Sequence, residues 1–203
     1  MRGPTRPVML AAVALLLVAA CSSDRDEGLT PVPTTAAPGP VAFSVTGATV
    51  ESVELPPPPF PDDVKAAVAA TLDRYLQDAV LAPLRSGQPA GDLEPVFTGP
   101  ARARVDGPDR AALVDEGLPP AGSVRAEAAT VDLAALAGAD NAVTVVTAAV
   151  DLRLQTSGGE PVTIARTGHL VLVPEGGAWK VDGYDVRTTR DHAGAATTTT
   201  ARS

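Results

Sequence analysis

Hydrophobic positions along this chain change period twice, dividing it into an apolar leader, a helical stretch and a β-rich end. An unbroken apolar run of 13 residues, Val8 to Ala20, follows Arg2 and Arg6. It is shorter than the roughly 20 residues that span a bilayer as a helix, and reads as the apolar core of an export signal occupying residues 1–20. From Phe43 to Leu55 (FSVTGATVESVEL) β-branched residues alternate loosely until Pro56–Pro59, which predicts a first strand. Asp62 or Asp63 then caps a helix expected through about Leu81. Val64, Val68, Leu72, Tyr75, Leu76, Ala79 and Val80 share one face of it, with Lys65, Asp73, Arg74, Gln77 and Asp78 elsewhere. Two shorter helical pieces are expected around Leu93 to Phe97 and from Pro108 to Glu116, the second started by Asp106 and stopped by Gly117.

After Gly122 the period becomes two. Strands are expected at Val124–Leu136, Ala142–Gln155, Val162–Val173 and Ala178–Arg187, joined through Gly138-Ala139-Asp140-Asn141, Ser157-Gly158-Gly159 and Glu175-Gly176-Gly177. These connections carry turn chemistry and predict an antiparallel meander. In the third strand Val162, Ile164, Leu170 and Leu172 share a face with Arg166 and Gly168, while Thr163, Thr167 and His169 face the other way. In the fourth, Trp179 and Val181 alternate correctly but Tyr184 and Val186 are out of phase by one, so a β-bulge is expected near Gly183. The whole predicts an α+β domain over residues 41–190, its long N-terminal helix packed in a curled, cone-like antiparallel sheet. Residues 21–40, rich in Pro, Thr, Ser and charge, read as a disordered linker, and residues 191–203, with their TTTT run, as a disordered tail.

Composition sharpens this picture. With 45% apolar but only 3% aromatic residues, the core has to be aliphatic. Lysine occurs only at Lys65 and Lys180, isoleucine only at Ile164 and asparagine only at Asn141, a bias of GC-rich codons. A net charge of -8 repels phosphate backbones and anionic head groups, which argues against a nucleic-acid partner. Cys21 is the one cysteine, so the chain can build neither an internal disulfide nor a thiolate metal site.

The run ends in Val18-Ala19-Ala20-Cys21, which resembles the lipobox of bacterial lipoproteins: an aliphatic residue, two small ones and the cysteine. The resemblance implies a diacylglycerol on the Cys21 sulfur and a new N-terminus there, anchoring the protein on the extracytoplasmic face of the cell membrane. Two acyl chains suffice physically, at about 0.8 kcal/mol per buried methylene. The other reading is an ordinary secretory signal cleaved near Ala20, which would leave a free thiol.

The order of elements, with LEPVFTG (residues 93–99) after the long helix and the closing WKVDGYDV (residues 179–186), resembles the nuclear-transport-factor-2-like fold, also called SnoaL-like or ketosteroid-isomerase-like. More narrowly it is similar to the envelope-facing domains of actinobacterial lipoproteins and of Mce-associated proteins. The resemblance implies a bent sheet wrapped around the long helix, open at one end for an active site or a pocket. The family's enzymes use an Asp or His base with a Tyr or acidic donor, and no such set matches here. Fold therefore does not decide function.

No catalytic, metal or cofactor set is expected. His169 falls on the polar face of its strand and His192 in the tail, while Asp24, Asp26 and Glu27 cluster in the linker. Arg166 interrupts an apolar face, and a buried guanidinium needs a carboxylate or an anionic ligand. It either lines a pocket in the cone, with Tyr75 and Trp179, or pairs with a helix carboxylate such as Asp73 or Asp78, or runs its stem to the rim. Three functions stay open: a non-catalytic accessory domain meeting an envelope protein, a module binding a small apolar or anionic molecule, and an isomerase-like enzyme. Dimerisation through the sheet is compatible with each.

Overall fold

Alternating burial along the second half of the chain builds the sheet. The computed structural model describes residues 40–52, 56–138, 140–192 and 194–203. The expected export signal, Cys21 and the linker up to residue 39 lie outside these residues, as do positions 53–55 of the expected first strand. The strands are β1 (Ser44–Glu51), β2 (Ser123–Ala137), β3 (Val143–Ser157), β4 (Val162–Glu175), β5 (Ala178–His192) and β6 (Ala195–Arg202). They form one six-stranded sheet in the order β1-β2-β3-β4-β5-β6, antiparallel throughout except that β1 runs parallel to β2. A parallel neighbour requires a long crossover, and the helices between β1 and β2 supply it. The molecule is thus α+β with a mostly antiparallel sheet.

The meander follows the period-two reading closely. Val146, Ala148, Leu152 and Leu154 of β3, and Ile164, Leu170 and Leu172 of β4, are buried on one face, whereas Thr163, Thr167 and His169 are exposed on the other. The bulge in β5 is present: Val171 pairs with Gly183 but Leu172 pairs with Val181, leaving Asp182 as the extra residue. That single insertion lets both Val181 and Tyr184 face the core. Gly176 and Gly177, with φ of 62° and 82°, close the β4–β5 hairpin in the left-handed region its two-residue turn requires.

The expected tail is a correction. In place of a disordered segment, β5 runs on to His192 and β6 pairs with it from His192–Ala195 to Asp185–Arg202. Threonine's branched Cβ suits an extended strand, and Ala201 is buried against the core. Only that one apolar side chain is buried, so a hydrophobic pattern had nothing to register.

The helical half departs from expectation in an informative way. A regular α-helix, α1 (Asp62–Tyr75), opens into a π-helical turn over Leu76–Leu81 before α2 (Ala82–Ser86). Pro83 is the cause. It stands four residues after Ala79, lacks the N–H that would bond the Ala79 carbonyl, and its ring crowds that oxygen. The Ala82 N–H reaches back five residues to the Gln77 carbonyl instead, and the freed Ala79 carbonyl accepts from the Asp115 N–H at 2.9 Å. A mid-helix proline costs about 3 kcal/mol, but complete burial of Leu76, Val80 and Leu81 contributes about 1.5–3 kcal/mol each and outweighs it. The segment Leu93–Phe97 is a turn rather than a helix, and α3 (Gly99–Val105) was not expected. The predicted helix at Pro108–Glu116 contracts to α4 (Arg110–Leu113), because the chain becomes extended at Val114 to meet the sheet.

The helical face packs on the core side of the sheet. Thr71 donates to the Trp179 carbonyl at 2.8 Å, and Asp73 and Gln77 bond the backbone of Phe43 and Val41 leading into β1.

Candidate functional site

The π turn and α4 together lay residues 113–116 against the core face of β4 and β5. Tyr75 Oη donates to the Leu113 carbonyl at 2.8 Å, and Asp115 is tied by its N–H to Ala79. The Asp115 carboxylate, fully buried, then becomes the centre of an ionic network. One oxygen accepts from Arg166 Nη2 at 2.8 Å, the other from Arg190 Nε at 2.7 Å. Arg166 is itself only 1% exposed; its Nε donates to Thr188 Oγ1 at 2.9 Å, and the Thr188 hydroxyl in turn donates to the Ala112 carbonyl. Arg190 completes its fork on the Ala111 and Val114 carbonyls.

A second carboxylate sits at the border of this network. Asp109 Oδ2 accepts from Tyr184 Oη at 2.7 Å and from Arg104 Nε at 3.0 Å, with Arg104 Nη2 at 2.9 Å from the same oxygen. Arg110 and Glu116 form a two-pronged pair at the surface, and Ala90 N–H also reaches Glu116.

These surroundings set the ionisation of the groups. Burial pushes the Tyr75 hydroxyl up to about 12, the nearby Arg166 charge working against it. Tyr184 is also raised to about 12, by burial first and then by the hydrogen bond it gives to Asp109. Burial opposes the Arg166 charge, but the Asp115 carboxylate and the Tyr75 hydroxyl together offset it and hold the guanidinium above its ordinary value. Hydrogen bonds from Arg110 hold Glu116 below the usual carboxylate range.

Of the residues singled out in sequence, Arg166 and Tyr75 come together: the guanidinium carbon stands 5.8 Å from the Tyr75 ring centre. Trp179 does not join them; half-buried, it offers its carbonyl to Thr71. The carboxylate partner of Arg166 is neither Asp73, which bonds Phe43 N, nor Asp78, which faces Arg74 on the helix surface, but Asp115. His169 is exposed on the outer face of the sheet. One nitrogen of the buried fork, Arg166 Nη1, has no hydrogen-bond partner.

Two of the grooves among the described residues open elsewhere. One, of about 380 Å³, crosses the outer face of β1 to β4 and is lined by small residues including Gly47, Ala134 and Ala149, with Asp132 and His169 at its sides. Asp132 is engaged by Thr46 Oγ1 at 2.7 Å. The other, of about 400 Å³, lies beside α4 between Pro108, Arg110, Glu116 and Arg190. Neither is lined by Arg166, Tyr75 or Trp179. Among the described residues no helix is long and apolar enough to cross a membrane, and no cluster of three or more His, Cys, Asp or Glu side chains could hold a metal. No family model, curated protein or solved structure matches the chain.

Asp115, Arg190, Thr188, Asp109 and Tyr184 are not legible in the sequence as one assembly. Arg190 and Thr188 were within reach, since they continue the buried phase of Val186 once the bulge is placed. Asp115, in a loop without periodicity, carries no local signal.

Proposed function

We propose that the chain is an envelope lipoprotein, anchored by diacylglycerol on Cys21, whose cone-like domain of the nuclear-transport-factor-2 type serves as a non-catalytic accessory or interaction module. One observation carries the non-catalytic reading: the ionised groups of the interior are committed to one another. Asp115 is neutralised by two guanidinium groups, and the Asp109 oxygen nearest a tyrosine already has three donors around it. A carboxylate so occupied is a poor proton acceptor for a substrate carbon, although the pairing of Tyr184 with Asp109 is the combination an isomerase-like enzyme would need. Their geometry supports a structural role, clamping the α4 loop across the sheet.

A second reading has its own support. The unpartnered Arg166 Nη1 is the group that a small polar or anionic molecule would seek if the α4 loop opened.

Native mass spectrometry of the protein released from its own envelope tests both. A diacylated chain, bare or carrying a protein partner, supports the accessory module. A bound small molecule that disappears in Arg166→Ala establishes the binding module in its place, and an unmodified Cys21 refutes the anchor.

A further inference from the structure

Among the described residues the order of the sheet leaves β6 at an open edge, and the phase of its hydrogen bonds can be read from its end. Ser203 N–H donates to the Tyr184 carbonyl at 2.9 Å, so Ser203 and Tyr184 are a hydrogen-bonded pair. Pairs alternate in an antiparallel ladder; with Val186 opposite Ala201, Thr188 opposite Thr199 and Arg190 opposite Thr197, the odd-numbered residues of β6 bond inward to β5. The N–H and C=O groups of Ala196, Thr198, Thr200 and Arg202 therefore point away from the sheet. Arg104 Nη2 confirms the phase from outside, since it donates to the Arg202 carbonyl. Among the described residues nothing bonds the backbone groups of Ala196, Thr198 and Thr200.

Open strand edges are ordinarily blunted by charge, proline or a bulge. At the opposite edge, β1 has such a device: its register breaks between Val45 and Gly47, with Thr46 turned onto Asp132. The stretch Ala195–Ala201 (AATTTTA) has none of these. It is also tied down from behind, because Thr199 Oγ1 donates to the Ala111 carbonyl of α4 and Ala201 is buried.

We propose that this edge pairs with the same edge of a second copy, antiparallel about a two-fold axis through Thr198. In that register Thr198 faces Thr198 of the second copy, and Ala196 and Thr200 face Thr200 and Ala196 of the second copy. All three residues are outward-bonding on both sides, so both free groups of each one are satisfied. Thr197 and Thr199 then face one another across the axis, and no charged side chain meets a like charge. Arg104, by occupying the Arg202 carbonyl, ends the ladder there and disfavours a register slipped toward the C-terminus. A self-complementary patch of this kind is what a closed two-fold dimer requires. The inference rests on backbone phase alone and is independent of the anchor and of the function proposed above.

The test uses the full chain with Cys21→Ser, so that an added cysteine is the sole thiol. In antiparallel hydrogen-bonded pairs facing Cα atoms lie about 5.5 Å apart, within disulfide range. Thr198→Cys should give a disulfide-linked dimer on mild oxidation. Thr189→Cys, one strand inside the edge on the same face, should give none. In sedimentation the parent should be a dimer and Thr198→Pro a monomer that keeps its circular dichroism, because the N–H removed makes no bond to β5. A monomeric parent, a folded Thr198→Pro that stays dimeric, or equal cross-linking from positions 189 and 198 would overturn the proposal. If Thr198→Pro fails to fold, the two cysteine variants decide.

Discussion

Asp115→Asn removes one charge from the centre of the buried network while keeping its shape. In the native protein the carboxylate faces two guanidinium groups, of which Arg166 is the more deeply buried. Without the charge, Arg166 keeps Thr188 and the face of Tyr75 but no anion. A buried ion stripped of its partner costs about 3–5 kcal/mol, a large part of the roughly 5–15 kcal/mol that holds a domain together. At about 2–4 °C per kcal/mol for a chain of this size, the melting temperature should fall by on the order of 10 °C. Arg166→Met behaves differently. It leaves Asp115 paired with Arg190, and it removes a guanidinium nitrogen that has no partner and so carries a desolvation cost of about 1–3 kcal/mol. The single change should therefore cost less than Asp115→Asn, within about 2 kcal/mol of neutral. The double variant should be more stable than Asp115→Asn alone, since the orphaned charge is gone. Urea denaturation followed by the fluorescence of Trp179, the chain's one tryptophan, measures all four proteins. Additive losses, or an Arg166→Met as damaging as Asp115→Asn, would refute the view that Asp115 acts chiefly by neutralising Arg166.

Further outcomes follow from other contacts. Both tyrosines of the chain are raised to about 12, so tyrosinate absorbance should be absent near pH 10 while the protein is folded. The unfolded chain loses those protons near the ordinary value of 10.0. The stability they contribute is complete below that pH and is lost as pH rises toward about 12, at about 1.4 kcal/mol per pH unit for Tyr75; normal titration near 10 with native circular dichroism would contradict it. Gly168 has φ of 141°, and a Cβ there would stand 2.0 Å from the Asp185 carbonyl oxygen, so Gly168→Ala should cost at least about 2–3 kcal/mol in chemical denaturation. At Gly47 the Cβ meets the Asp132 carboxylate, which can swing aside by giving up its hydrogen bond from Thr46, and alanine should cost about 1 kcal/mol. Ala201→Asp buries a charge under β6 and should cost about 2 kcal/mol or more, whereas a tail without structure would leave the melting temperature unchanged.

The α+β class, the four strands of the meander and the β5 bulge were legible in sequence because each depends on local alternation. A strand with one buried face announces its register in every second residue, and a slip of one residue at Gly183 shows as a phase change between Val181 and Tyr184. The core position of Arg166 was legible for the same reason. Its partner was not. Asp115 reaches Arg166 only because Pro83 opens a helix more than thirty residues earlier and frees Ala79 to hold the loop, a chain of causes without periodicity. β6 was missed because its stability comes from backbone pairing and β-branched geometry rather than from an apolar face. The sequence by itself determined which side chains must leave water. The tertiary structure decided which charges meet there, because pairing across 51 residues, from Asp115 to Arg166, depends on how elements stack and not on any spacing along the chain.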